Sequence, residues 1–270
     1  MKYLRLIELE KYIDENEPVS LADLCKHCDI SMSTLRRDLD ILSSEGKINR
    51  MYGCVTKREN SSTFQPLHSR SNINSDAKRI VAKIACRFVS DGDVIFIDSG
   101  STTCLMVEFL KDLQHLTIVT NNLDVIVRSA PYPNLQVYVL PGLFTRGNNS
   151  FAFLTDERLY SNYNIQKAFL GSSGITLEYG VSHTDLSERT IKQCATRITP
   201  KRYLLLDHTK FGKSAPLHLC EIKQFTTLCT DTRPSEPYVE YCEKNGVEIA
   251  YPVFQEGKFF PEEKQNKVGA

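Results

Sequence analysis

The chain has 270 residues, 41% of them hydrophobic and 24% charged, with 33 basic against 33 acidic side chains. A length near two domain units and an ordinary globular composition exclude a disordered or collagen-like chain. Zero net charge excludes a global polycation that coats nucleic acid or membrane, though not a local basic surface. No run approaches the roughly 18 apolar residues of a membrane span, so no membrane partner is expected. Acidic residues from Glu8 onward exclude a signal peptide. Nine scattered cysteines, an odd count, read as free thiols of a cytoplasmic protein.

Residues 1–58 read as one small unit. Leu4, Ile7, Leu9 and Ile13 predict an opening amphipathic helix that breaks at Asn16-Glu17-Pro18. A short second helix turns Leu21, Ala22, Leu24 and Cys25 inward, with Ser20 as its N-cap. A third spans about 32–45, carries Leu35, Leu39 and Leu42 on one face and ends at Gly46. Ile48, Met51, Tyr52 and Val55 around Gly53 suggest a β-hairpin. Residues 59–75, rich in Ser and Asn, form a linker. A helix follows from 76, with Ile80, Val81, Ile84, Ala85 and Phe88 on one face. Apolar strands are then expected at 94–98, 116–120, 135–142, 165–171, 203–207, 226–230 and 247–251. Helices lie between most of them, notably 185–198 and 235–245. Residues 76–252 thus read as an α/β domain with a mostly parallel sheet covered on both faces. Residues 253–270 show no pattern and are expected to be a mobile tail.

Three helices and a basic hairpin describe a winged helix-turn-helix. If Leu35, Leu39 and Leu42 face the core, Ser33, Arg36, Arg37 and Asp40 face outward. A helix of this width fits the major groove of DNA. Within 36–58 there are six basic residues (Arg36, Arg37, Lys47, Arg50, Lys57, Arg58) against three acidic ones (Asp38, Asp40, Glu45). A charged, solvated face of a protein-interaction module has the same pattern. Cys25-Lys26-His27-Cys28 has half a zinc site's ligands and no matching second pair, so no metal is expected.

The stretch VSLADLCKHCDISMSTLRRDLDILSSEGKINRMYG (19–53) resembles the DNA-binding region of the DeoR/GlpR family of bacterial transcription regulators. The most specific part is STLRRDLDILSSEG followed by Arg50-x-x-Gly53. The resemblance implies DNA contacts at Ser33, Thr34, Arg36, Arg37, Lys47 and Arg50. The family's hairpin has two glycines and an alanine where this chain has Gly53, Cys54 and Val55.

Farther along, IFIDSGSTT (95–103) is a buried strand running into Ser99, Gly100, Ser101, Thr102, Thr103 and then a helix. Such a turn can donate N–H and hydroxyl groups to an anion; it is equally a simple capped turn. TNN (120–122), LPG (140–142), GSSG (171–174) and DHTKFG (207–212) end other strands. Lys192 and Lys210 can neutralise a phosphate or stay solvated. In order, DGDVIFIDSGSTT, VTNN, KAFLGSSGI, SERTIK and LLLDHTKFG resemble the effector domain of the same family, so the likeness spans about residues 1–231. That domain is similar in fold to ribose-5-phosphate isomerase and CoA transferases. By this resemblance Asp98, Ser99, Gly100, Ser101, Thr102 and Thr103 hold a phosphate, and Asn121, Asn122, Gly171, Lys192, Asp207 and Lys210 complete the pocket, while SHTDLSE (182–188) places His183 of this chain in the region expected to meet the sugar. Gln166 stands where the family has Asp, and Pro141-Gly142 where it has paired glycines. With His183, these departures imply an unusual effector. The expected function is a repressor of a carbohydrate operon. It binds operator DNA as a homodimer or homotetramer, answers to a sugar phosphate and needs no cofactor. The alternative is an isomerase-like enzyme with an added DNA-binding head.

Overall fold

The computed structural model describes residues 2–16, 19–44, 48–51, 54–57, 73–152, 162–255 and 258–261. The chain divides into two units, 1–61 and 62–270.

In the first unit, α1 (Lys2–Asn16) stops two residues before Pro18, which lacks the N–H a helix interior needs. Ser20 caps α2 (Leu21–His27): its Oγ accepts from the Asp23 N–H at 3.1 Å and donates to the Asp23 carboxylate at 2.7 Å. Ser31 stands at the start of α3 (Met32–Ser44), accepting from Thr34 N–H at 3.3 Å. Strands β1 (Val19–Ser20), β2 (Ile48–Met51) and β3 (Cys54–Lys57) form an antiparallel sheet in the order β1-β3-β2. The hairpin expected around Gly53 therefore gains a third strand, too short to show a sequence pattern. Leu9, Ile13, Leu24, Leu35, Leu39, Leu42 and Val55 are fully buried together. Each such side chain contributes about 1.5–3 kcal/mol of transfer free energy. The result is a winged helix-turn-helix. Cys25 and Cys28 pack against this core, and His27 stacks on Tyr12 with ring centres 3.8 Å apart.

The second unit opens with α4 (Ser75–Cys86). Its main sheet contains β4 (Val94–Ile97), β5 (Leu116–Thr120), β6 (Leu135–Val139), β9 (Lys167–Gly171), β12 (Lys201–Leu206), β14 (Thr227–Thr230) and β15 (Glu248–Ala250). All neighbours are parallel, in the order β15-β14-β12-β9-β4-β5-β6. Alternate residues feed two cores. Phe96, Ala168, Leu170, Leu204 and Leu228 face α7 (Leu186–Ile198) and α8 (Glu236–Asn245). Ile95, Ile97, Ile118, Phe169, Tyr203 and Leu205 face α4, α5 (Val107–Leu110) and α6 (Leu123–Ser129). Burial pushes the Cys104 thiol up to about 12 and raises that of Cys229 further, so these cysteines act as apolar filler.

Three features depart from the sequence expectation. A second antiparallel sheet joins β10 (Gly174–Thr176), β11 (Gly180–His183) and β13 (Leu217–Cys220), and a hairpin joins β7 (Leu143–Thr145) to β8 (Ser150–Ala152). The helix after Ser-Gly-Ser-Thr-Thr is only a 3₁₀ turn, Thr103–Met106, running into the single turn of α5. Finally, the stretch expected as a patternless tail contains a hairpin. In it β16 (Pro252–Gln255) pairs with β17 (Lys258–Pro261), placing Val253 opposite Phe260 and Phe254 opposite Phe259. Two apolar pairs flanking Glu256-Gly257 are a hairpin signature that the charged residues around it concealed. Residues 59–72 and 262–270 lie outside the described residues, as does most of the linker assignment.

Candidate functional site

On α3, the stripe that buries Leu35, Leu39 and Leu42 forces the opposite face outward. Ser33, Arg36, Arg37 and Asp40 are exposed and Thr34 half-buried. The Ser33 and Thr34 hydroxyls lie 2.9 and 3.0 Å from Ser31 Oγ, at the helix start. Asp38, one of the three acids weighed against the basic residues, is not on that face. It is 1% exposed and accepts from Arg5 Nε at 2.7 Å. The outward face of α3 is therefore more positive than composition suggests. Lys47 lies outside the described residues, and of Arg50 only its backbone place opposite Val55 is described.

The second site follows from topology. From β4 the chain moves outward through β5 to β6, then returns to β9 on the other side of β4 and moves outward again through β12 to β15. The crevice at the carboxyl ends of β4 and β9 is thus a topological switch point, where open parallel sheets bind ligands. A cavity of about 240 Å³ opens there. Its walls carry eight of the expected residues: Gly100, Ser101, Thr102, Gly171, His183, Lys192, Asp207 and Lys210.

Asp98 lies beneath the cavity rather than on its wall. Its Oδ1 accepts from Gly100 N–H at 2.9 Å and from Thr103 Oγ1; its Oδ2 accepts from Gly171 N–H at 2.7 Å and meets Lys192 Nζ at 2.9 Å. Four donors saturate the carboxylate, which ties the β4 loop to the end of β9. A side chain on Gly100 would bring its Cβ within 2.8 Å of Thr103 Oγ1 and 2.9 Å of Asp98 Oδ1, so only glycine permits this closure. Lys192 also donates to Gly171 O at 3.1 Å and lies 3.7 Å from Glu188 Oε2. Glu188 Oε2 in turn is 3.8 Å from His183 Nδ1. Lys192, Glu188 and His183 are all at least 95% buried.

Ser99, Thr103, Asn121 and Asn122 also do not line the cavity. Thr103 is committed to Asp98. Asn122 donates to Asp98 O at 3.0 Å and caps α6 through Asp124 N–H at 2.9 Å. Asn121 holds β8 through Phe151 O at 3.0 Å. Ser99 is buried. Two of the departures read as signs of an unusual effector are structural. Gln166 Oε1 accepts from Val94 N–H at the far end of the sheet. Gly142 packs where a Cβ would lie 2.5 Å from Ala152 O.

The sequence reading missed Asn74, Lys78, Ser172, Ser173, Glu188, Thr209 and Lys213, which also line the cavity. Lys78 carried a signal. It sits at the i−3 and i−4 positions from Val81 and Ala82, a charge on the helix face that is otherwise apolar. Asp98 beneath the cavity offsets Lys192, and Lys78, Lys210 and Lys213 against Glu188 and Asp207 still give the walls an excess of positive charge. With the hydroxyls of Ser101 and Thr102, that arrangement can hold an anion bearing several hydroxyl groups. Among the described residues, no helix is long and apolar enough to cross a membrane.

The model of the DeoR-like helix-turn-helix domain matches residues 5–61, and that of the DeoR C terminal sensor domain matches residues 73–232. The chain is 34% identical over 249 residues to the HTH-type transcriptional regulator IolR of Bacillus subtilis, covering 92% of this chain and 99% of that one. It is 24% identical to the deoxyribose operon repressor of Escherichia coli, over 92% and 97% of the two chains. Among solved structures it is similar to ribose 5-phosphate isomerase A of Methanocaldococcus jannaschii, at 20% identity and a TM-score of 0.39, over 52% of this chain and 56% of that one. Matched in both units, and in order, the chain belongs to the DeoR family of transcriptional regulators.

Proposed function

We propose that this regulator represses a carbohydrate-metabolism operon and lets go of operator DNA when a phosphorylated sugar fills the cavity of the sensor unit. The observation that carries the reading is the convergence of Lys78, Lys210 and Lys213, besides the Asp98-paired Lys192, on one cavity at the switch point of a parallel sheet. In this reading Arg36 and Arg37 reach base edges or phosphates, with Ser33, Thr34, Lys47 and Arg50 beside them. Gly100, Ser101, Thr102 and Lys210 meet the phosphate. His183, Glu188 and Asp207 meet hydroxyl groups. Asp98, Thr103 and Lys192 hold the walls in place. The Escherichia coli relative is named a deoxyribose operon repressor, which supports repression and a sugar-linked pathway. Two copies or four pair their DNA-binding units on repeated half-sites, in the cytoplasm. The ligand can act only by binding the DNA-free arrangement more tightly than the DNA-bound one.

The chain is a regulator, not an isomerase with an added head: its relatives across nearly their whole length are regulators. A thermal-shift screen of pentose and hexose phosphates against their unphosphorylated sugars tests the ligand class. A ligand at 100 times its Kd stabilises by about 2.7 kcal/mol. A shift with phosphorylated sugars alone is expected; no shift with any of them rejects the reading.

A further inference from the structure

The start of α4 forms a wall of the cavity, through Ile73, Asn74 and Lys78. Ile73 and Asn74 belong to the stretch 59–75 that the sequence marks as the linker to the DNA-binding unit. Lys78 is only 4% exposed. Asn74 starts the helix in the left-handed conformation, φ 54° and ψ 40°, which few residues other than glycine adopt. Its side chain does not cap α4. Instead Nδ2 donates to Thr209 Oγ1 at 3.3 Å. Thr209 N–H donates to Asp207 Oδ1 at 3.0 Å, and the buried Asp207 Oδ2 has no hydrogen-bond partner among the described residues. One hydrogen bond thus bridges two walls of the cavity, the end of the linker and the turn after β12.

We propose that Lys78 holds the anionic group of the ligand, so that the sensor reads its ligand with the segment that leads to the DNA-binding unit. This rests on the phosphorylated-sugar reading and adds where the phosphate is felt. A phosphate accepts from the lysine ammonium and from the Gly100–Thr102 turn at once, which ties the first turn of α4 to the β4 loop. Asparagine tolerates the left-handed region without being confined to it. Occupancy of the cavity therefore selects one backbone state at Asn74, the described end of the segment that leads to the DNA-binding unit.

The test is amide hydrogen exchange on the full-length chain with ribose 5-phosphate, fructose 6-phosphate and inorganic phosphate, each at saturation where it binds. The expected result is slower exchange at residues 74–80 together with 100–102 and 171–173. Slowing at 100–102 and 171–173 with 74–80 unchanged overturns this proposal and leaves the ligand class standing. Binding of none of the three overturns both. Lys78→Met should weaken the bound probe by about tenfold or more, and Lys78→Arg should restore most of it; wild-type affinity in Lys78→Met also overturns the proposal. If Lys78→Met does not melt cooperatively, exchange on the wild-type chain decides alone.

Discussion

Lys192 and Lys210 border one cavity, yet truncating them should have opposite consequences. Lys192 Nζ lies 2.9 Å from the fully buried Asp98 carboxylate. Lys192→Met strands that carboxylate, and breaking a buried pair costs about 3–5 kcal/mol. Urea unfolding of the sensor unit should register that loss; a change below about 1 kcal/mol would show that the pair is not holding the site. Lys210→Ala should leave stability within about 0.5 kcal/mol and remove the thermal shift given by sugar phosphate. A retained shift takes Lys210 out of the site. Arg37→Ala should weaken operator binding by about 1–3 kcal/mol with the melting temperature unchanged, because this face of α3 is exposed. A large drop in melting temperature would make Arg37 structural. At this scale residue type was legible and depth was not. Asp98 and Asp207 both follow a strand in the sequence, but four donors surround one and the other lines the cavity.

Among elements, the long apolar strands and the helices with a 3.6-residue stripe were legible because burial on a sheet or helix face imposes a period. Strands β1, β7, β8, β10, β11 and β13 were not: they are short, they lie outside the apolar runs that mark the main sheet, and their antiparallel pairing depends on partners elsewhere in the chain. The same limit hid half of the cavity, since Ser172, Thr209 and Lys213 come from loops that only sheet order brings together. Lys78 was readable, as a lysine inside an apolar stripe. The three-helix core offers a test of its own. Leu39 is fully buried, and Leu39→Ala should cost about 2–5 kcal/mol. A unit of about 60 residues buries too little surface to absorb that loss, so DNA binding should disappear. Circular dichroism should show partial loss of helix; retained operator affinity would contradict this account of the core.

Across the whole molecule, two separately cored units are joined in one chain. Leu39→Ala should therefore leave the sensor unit's melt and its ligand shift intact, while Lys192→Met should leave the winged helix folded. Communication between the units must pass through a difference in ligand affinity between DNA-bound and DNA-free states, and it is reciprocal: operator DNA must weaken the ligand by the factor by which ligand weakens the DNA. The most direct measurement is fluorescence anisotropy of the full-length protein. It would use a duplex selected by that protein from a random pool, titrated with and without the sugar phosphate that gives the largest thermal shift. The duplex Kd should rise about fivefold or more when the sugar phosphate is present, the usual size of an allosteric coupling, and Lys210→Ala should abolish the rise. A duplex Kd that stays the same while the sugar phosphate is bound would contradict the account.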